Sequence, residues 1–135
     1  MCSLGGCWGY VRASGLKKTA RARAALTLSD KLIITINGLS YSDAFEDAFC
    51  QSLVLSVFEA VRCFKFQVRA VASGGGKVAQ AYAVRAAIAK CVLALNPSVR
   101  RALKLYGLLT ADCRRVERKK CGLAKARRAF QFSKR

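Results

Sequence analysis

The sequence predicts a single α+β domain flanked by basic arms, and three observations carry that prediction. A chain of 135 residues holds one modest core and no more. Residues 64–71 repeat with the two-residue period of a strand, and residues 77–95 with the spacing of a helix. The charge is unevenly placed: residues 1–23 carry five basic and no acidic side chains, 24–112 ten basic and six acidic, and 113–135 ten basic and one acidic. The middle therefore resembles an ordinary globular body, with basic segments at both ends.

Taken in order, residues 19–28 (TARARAALTL) alternate in part between basic and small or apolar residues. Residues 32–36 (LIITI) are apolar and β-branched, with Asn37-Gly38 as a turn. Ser29-Asp30 separates these two runs, so an antiparallel hairpin between them is the simplest expectation. Ser42-Asp43 is expected to cap a short helix containing Ala44, Phe45, Ala48 and Phe49, and residues 51–61 to continue as helix. In FKFQVRAV, Phe64, Phe66, Val68 and Ala70 fall on one face, and Lys65, Gln67, Arg69 and Val71 on the other, as in a half-buried strand. Gly74-Gly75-Gly76 breaks the chain before an Ala-rich helix on which Ala81, Val84, Ile88, Cys91, Val92 and Leu95 share a face. Asn96-Pro97 ends that helix and starts another through Val99, Leu103 and Tyr106, closed by Gly107. From Asp112 onward no apolar face is sustained.

Twenty-five Lys and Arg against seven Asp and Glu leave a formal charge of +18. A compact body with that much like charge repels itself, so a polyanionic partner is expected. Nucleic acid fits best, because each neutralised phosphate also releases a condensed counterion. A membrane surface is the rival polyanion, kept as a lesser alternative, and no membrane partner is expected; no apolar run approaches the roughly 18 residues of a spanning helix. The first 29 residues have the acid-free composition of an organellar presequence, but 15–23 read as part of the body, so no targeting segment is assigned.

The seven cysteines are odd in number and none has CxxC spacing, and the chain has no His, so no metal site is expected. Cys50, Cys63 and Cys91 lie in apolar stretches and read as reduced, structural residues of a reducing compartment. No nucleophile–base pairing is visible, so the chain is not expected to be an enzyme or to carry a cofactor.

Two segments carry candidate chemistry. Gly74, Gly75, Gly76 and Lys77 precede a helix, where backbone amides favour phosphate, although a tight strand-to-helix turn explains the glycines equally well. The segment is not a P-loop, which would need Gly at 71 and Ser or Thr at 78; the chain has Val71 and Val78. The tail clusters Arg114, Arg115, Arg118, Lys119, Lys120, Lys125, Arg127 and Arg128, and Phe130 and Phe132 offer planes for unpaired bases. A free basic protein that binds or packages DNA is the alternative from a different class.

These segments resemble the universal small-subunit ribosomal protein family nine, of bacterial or organellar type. Residues 116–135, VERKKCGLAKARRAFQFSKR, are similar to the family's terminal VERKK-x-GL-x-KAR-R-x-x-QFSKR. Residues 107–114 resemble G-x-x-T-x-D-x-R, residues 73–88 resemble GGG-x-x-x-QA-x-A-x-R-x-x-I, and Gly15 to Arg23 more weakly resemble the family's basic N-terminal segment. Ala79 stands where many members have Gly, and Phe130 where many have Pro. The resemblance implies an N-terminal extension at 1–14, an RNA-binding body at 15–111 with a four-stranded sheet against helices, and an extended basic tail at 112–135. It implies rRNA contacts from Lys17, Lys18, Arg21 and Arg23 and from the basic cluster of the tail. It also implies a tail end, Ser133, Lys134 and Arg135, near the peptidyl-site tRNA, with head proteins of the small subunit as neighbours. The cysteine content favours an organelle, a mitochondrion over a plastid, with the bacterial cytoplasm as the other possibility.

Overall fold

The computed structural model describes residues 10–62, 65–112 and 114–134. Among these residues, five strands form one sheet in the order β1-β2-β5-β3-β4. They are β1 (Val11–Lys17), β2 (Ala20–Leu28), β3 (Ile33–Ile36), β4 (Leu39–Ser40) and β5 (Phe66–Ser73). Helices α1 (Tyr41–Ala44) and α2 (Ala48–Val61) link β4 to β5; α3 (Lys77–Leu95) follows, and a 3-10 turn at Pro97–Val99 leads into α4 (Arg100–Leu105).

The alternation in β2 sorts its side chains cleanly. Ala20, Ala22, Ala24 and Leu26 are buried beneath the helices, whereas Arg21 and Arg23 are exposed on the other face. Phe66, Val68, Ala70 and Ala72 of β5 continue the buried face, with Arg69 and Val71 turned outward. Phe64, expected on the same inner face, lies outside the described residues. Helix α3 packs on β1, β2 and β5, and α2 packs on α3. Of the expected inner face, Ala81, Val84, Ile88, Cys91 and Val92 are buried and Leu95 is half-buried, while Ala83, Ala86, Ala87 and Ala89 widen the arc. By length and composition α3 is apolar enough to cross a membrane, which the sequence reading did not anticipate. Its buried residues instead pack with the sheet and α2 in the central core.

The hairpin expected between β2 and β3 does not form. Antiparallel pairing with β1 takes one edge of β2, and β5 takes the other from Arg21↔Ser73 to Leu28↔Phe66. With both edges occupied, β3 pairs parallel with β5, from Ile33↔Gln67 to Ile36↔Ala70. A parallel pair needs a long crossover, which the β4–α1–α2 segment supplies. The sheet also has five strands instead of four. The count is raised by β4, which returns antiparallel to β3 through Asn37-Gly38, with φ of 51° and 86°. Positive φ at both loop residues is the two-residue hairpin geometry that Asn-Gly favours. Asn37 also bonds β5, its Nδ2 donating to the Ala72 carbonyl while its Oδ1 accepts from the Ala72 amide.

Two helices replace the expected single run over 42–61. Ser40, not Ser42 or Asp43, caps α1 by accepting the Asp43 amide, and Asp47 caps α2 by accepting the Phe49 amide at 3.0 Å. The buried Phe45 lies between them. No charged or polar residue is buried among the described residues, so the core is apolar throughout. Each fully buried Leu, Ile, Val or Phe contributes about 1.5–3 kcal/mol over its exposed state. Beyond Asp112 the described residues form neither helix nor strand.

Candidate nucleic-acid interface

Three of the basic segments singled out by sequence meet at one end of the body. The first is the β1–β2 turn, carrying Lys17, Lys18 and Thr19, with Lys18 at φ 54°. The second is the glycine run. A Cβ on Gly74 would stand 2.9 Å from the Thr19 carbonyl oxygen, and one on Gly75 3.1 Å from the Ala20 Cβ. These glycines therefore let the β5–α3 turn press against the β1–β2 turn, whatever else they contact. The third is the root of the tail, where Asp112 forms a parallel bridge to Lys17 and its carbonyl accepts the Lys18 amide at 2.9 Å.

Asp112 anchors this junction. Its carboxylate accepts from Lys17 Nζ at 2.8 Å and from Arg114 Nε and Nη2 at 2.9 and 2.8 Å, and it also takes the Arg114 amide at 3.2 Å. Arg114 first, and then Lys17, hold the carboxyl far below the usual carboxylate range. Lys17 also lies 5.0 Å from the Tyr82 ring, within cation–π reach. Lys17 and Arg114 are thus engaged with the body and fix where the tail departs. Arg115 leaves the junction beside Lys18, and the two line a shallow cleft with Thr19, Arg114 and Val116.

Further along, Glu117 binds Arg127 through two hydrogen bonds, at 2.6 and 3.0 Å, which closes a loop within the tail. The Ala124 amide bonds the Arg128 carbonyl at 2.7 Å, across the end of that loop. Arg127 holds the Glu117 carboxyl below its ordinary range. Lys18, Arg115, Arg118, Lys119, Lys120, Lys125, Arg128 and Lys134 are exposed, and none forms an ion pair among the described residues. Lys77 pairs with Glu46 at 3.0 Å, both ends well exposed. Ser133 is exposed, and Arg135 lies outside the described residues. Arg21 and Arg23 stand apart from the tail root, on the uncovered face of the sheet.

Sequence reasoning missed three features. Asp112 reads as a domain boundary, and its anchoring role depends on a partner 95 residues away. Arg12 and Arg69 lie on the same uncovered face as Arg23, a placement set by register across three strands. The outward position of Arg69 in the β5 alternation was the available signal. Arg85 and Lys90 act structurally, donating to the Tyr106 and Ser14 carbonyls. Among the described residues no three His, Cys, Asp or Glu side chains group as metal ligands.

Known proteins match this sequence over nearly its whole length. The family described as ribosomal protein S9/S16 matches residues 15–135. The small ribosomal subunit protein uS9 of Maridesulfovibrio salexigens is 40% identical over 124 residues, which is 91% of this chain and 95% of that protein. That relative is bacterial, so it lends no support to the organellar source favoured from cysteine content. The class is structural and not enzymatic. From the glycine run through the Asp112 anchor to the basic tail, the chain belongs to the ribosomal protein S9/S16 family.

Proposed function

We propose that the chain is a structural constituent of the small ribosomal subunit, binding small-subunit rRNA with the turn-and-glycine end of its body and with its tail. The observation that carries this reading is the convergence of the β1–β2 turn, the glycine run and the tail root, with the unpaired cations of the tail continuing from that end. Arg can engage phosphates bidentately, while Lys acts as a point charge, and each contact gains from counterion release. The family membership supports the ribosomal setting, in which head proteins of the small subunit are neighbours.

In this reading the RNA-binding body runs from Val11, where β1 starts, to residue 111, in place of the expected 15–111, and the residues before it are an N-terminal extension. Residues 112–135 form a tail that extends once rRNA supplies its counter-charge. Gly74, Gly75, Gly76 and Lys77 present the start of α3 to the same RNA. Ser133, Lys134 and Arg135 reach the peptidyl-site tRNA.

The protein should co-sediment with small subunits and leave them only when rRNA is degraded. Deleting 113–135 should abolish incorporation, whereas deleting Lys134 and Arg135 should spare assembly and weaken tRNA binding at the peptidyl site. A protein found free of subunits, holding duplex DNA at physiological salt, overturns the ribosomal reading. Unchanged tRNA affinity in the two-residue deletion overturns only the tRNA contact.

A further inference from the structure

Among the described residues the helices cover one face of the sheet and leave the other bare. On the bare face, register sets three rows across β1, β2 and β5: Arg12–Ala25–Arg69, Ser14–Arg23–Val71 and Leu16–Arg21–Ser73. Rows on one face repeat about every 7 Å along a strand, and neighbouring strands lie about 4.8 Å apart. Arg12 and Arg69 therefore stand about 10 Å apart across Ala25, with Arg23 in the next row between them. A depression of about 500 Å³ lies here, lined by Arg12, Arg23, Arg69, Ala25, Ser14 and Val71.

Two properties of this face say what covers it. It presents four exposed arginines and no acidic residue at its strand positions, and none of the four forms an ion pair among the described residues. It is also partly apolar: Val71 is 64% exposed, and the Tyr10 ring, 56% exposed, stacks with the Arg12 guanidinium at 4.5 Å. Cations flanking a small apolar floor suit a strand whose phosphates and base faces are both accessible. A duplex hides its base faces, whereas unpaired nucleotides stack on aromatic rings and on guanidinium planes.

We propose that the open sheet face is a second RNA-docking surface, distinct from the tail, that takes a single-stranded segment of rRNA. Arg12, Arg21, Arg23 and Arg69 hold its phosphates, and bases lie over Val71, Ala25 and Tyr10. This assignment rests on the rRNA-binding reading above, and it adds Arg12, Arg69, Tyr10 and Val71 to the residues that carry it.

The test uses the full chain and full-length small-subunit rRNA, with affinity measured from 0.1 to 1 M salt. Each lost single-strand phosphate contact lowers the salt slope by about 0.7, so R12Q/R69Q should lower it by about 1.4. Over that decade of salt, the same change amounts to about 25-fold weaker binding at 0.1 M. V71E, which places a carboxylate on the exposed floor, should weaken binding at least as much. R12K/R69K should keep the slope while losing affinity, because charge is retained and the planar fork is not. All three variants alter exposed side chains, and an unchanged melting temperature confirms that the body is intact.

Wild-type slope and affinity in both R12Q/R69Q and V71E overturn the proposal. So does rRNA binding that is unaffected while a neighbouring protein is lost from reconstituted subunits, since the face is then a protein interface. If the parent chain itself fails to prefer small-subunit rRNA over unrelated RNA, the proposed function falls together with this surface. If only the sheet variants bind normally, the proposed function stands without it.

Discussion

Replacing Gly15 with alanine puts a methyl group where the backbone of α3 already lies. The added Cβ would overlap the Ala83 carbonyl oxygen and come within 2.7 Å of the Ala87 amide nitrogen. Ordinary contact between carbon and a carbonyl oxygen needs about 3.3 Å. Both obstructing atoms belong to the main chain in the middle of a 19-residue helix, so neither can swing aside. Helix α3 must instead lift by roughly 1 Å, and a gap of that size forfeits a quarter to a half of the dispersion energy across the contact. Because Val84, Ala87, Ile88 and Cys91 are all fully buried on α3, the loss spreads into the centre of the core. Overpacking typically costs about 1–3 kcal/mol, and a backbone obstruction places this site at the upper end.

A loss of about 3 kcal/mol should lower the melting temperature by roughly 10–15 °C. Urea unfolding followed by far-UV circular dichroism measures it, with Gly38→Ala as the control. Gly38 has φ of 86° and nothing within 4 Å of its would-be Cβ, so only the conformational cost of about 1 kcal/mol applies. A Gly15→Ala protein within 0.5 kcal/mol of the parent, read against a ~1 kcal/mol control, would refute the close approach of α3 to β1.

Other perturbations separate the roles of the anchor, the tail loop and the cysteines. Asp112→Asn should leave the body folded but free the tail root, seen as faster tryptic cleavage after Arg114 and Arg115; unchanged cleavage contradicts the anchor. The Asp112 carboxyl is held far below its ordinary value, so its contribution is fully present above about pH 3.9 and is lost as pH falls through the lowered value. Protection of the tail root should therefore persist at pH 4 and decline only below it, and loss already at pH 5 is the contrary result. Glu117→Gln removes the one acid beyond Asp112, yet it should weaken rRNA binding because it opens the loop closed by Arg127; a gain in affinity would show that charge alone governs the tail. Burial pushes the Cys91 thiol up to about 11 and raises that of Cys50, whereas Cys121 is exposed. In the folded chain at pH 8, alkylation mapped by mass spectrometry should mark Cys121 and spare Cys50 and Cys91.

The parts of the fold that declare themselves in sequence have one face distinctly unlike the other. Strand β5 does so, and β2 does through its Ala–Arg alternation, whereas α3, apolar round much of its circumference, is marked instead by its Ala-rich run between Gly76 and Asn96-Pro97. Strand β1, VRASGLK, has no such contrast, and the reason is structural: Ala13 and Gly15 are small because α3 lies directly on them. The close approach that holds the strand in place removes the apolar signal that would announce it. Residues 29–32 could equally close a hairpin or carry the chain past another strand, and only the occupation of both β2 edges decides between them. The site divides in the same way. The tail cluster and the glycine run are contiguous and stand out in sequence, whereas the Asp112 anchor and the Arg12–Arg23–Arg69 grouping exist only after folding.

The central claim is that the unpaired cations of the tail carry rRNA binding outward from the anchored root. The most direct measurement compares the salt dependence of small-subunit rRNA affinity for the full chain and for a chain ending at Asp112. Behind the tRNA-directed end, six described tail cations, Arg115, Arg118, Lys119, Lys120, Lys125 and Arg128, are exposed without an ion pair. If each meets an rRNA phosphate, truncation should lower the slope by about 4, with binding nearly lost at 0.15 M salt. Equal slopes for the two chains would contradict the account, because the body alone would then hold the RNA.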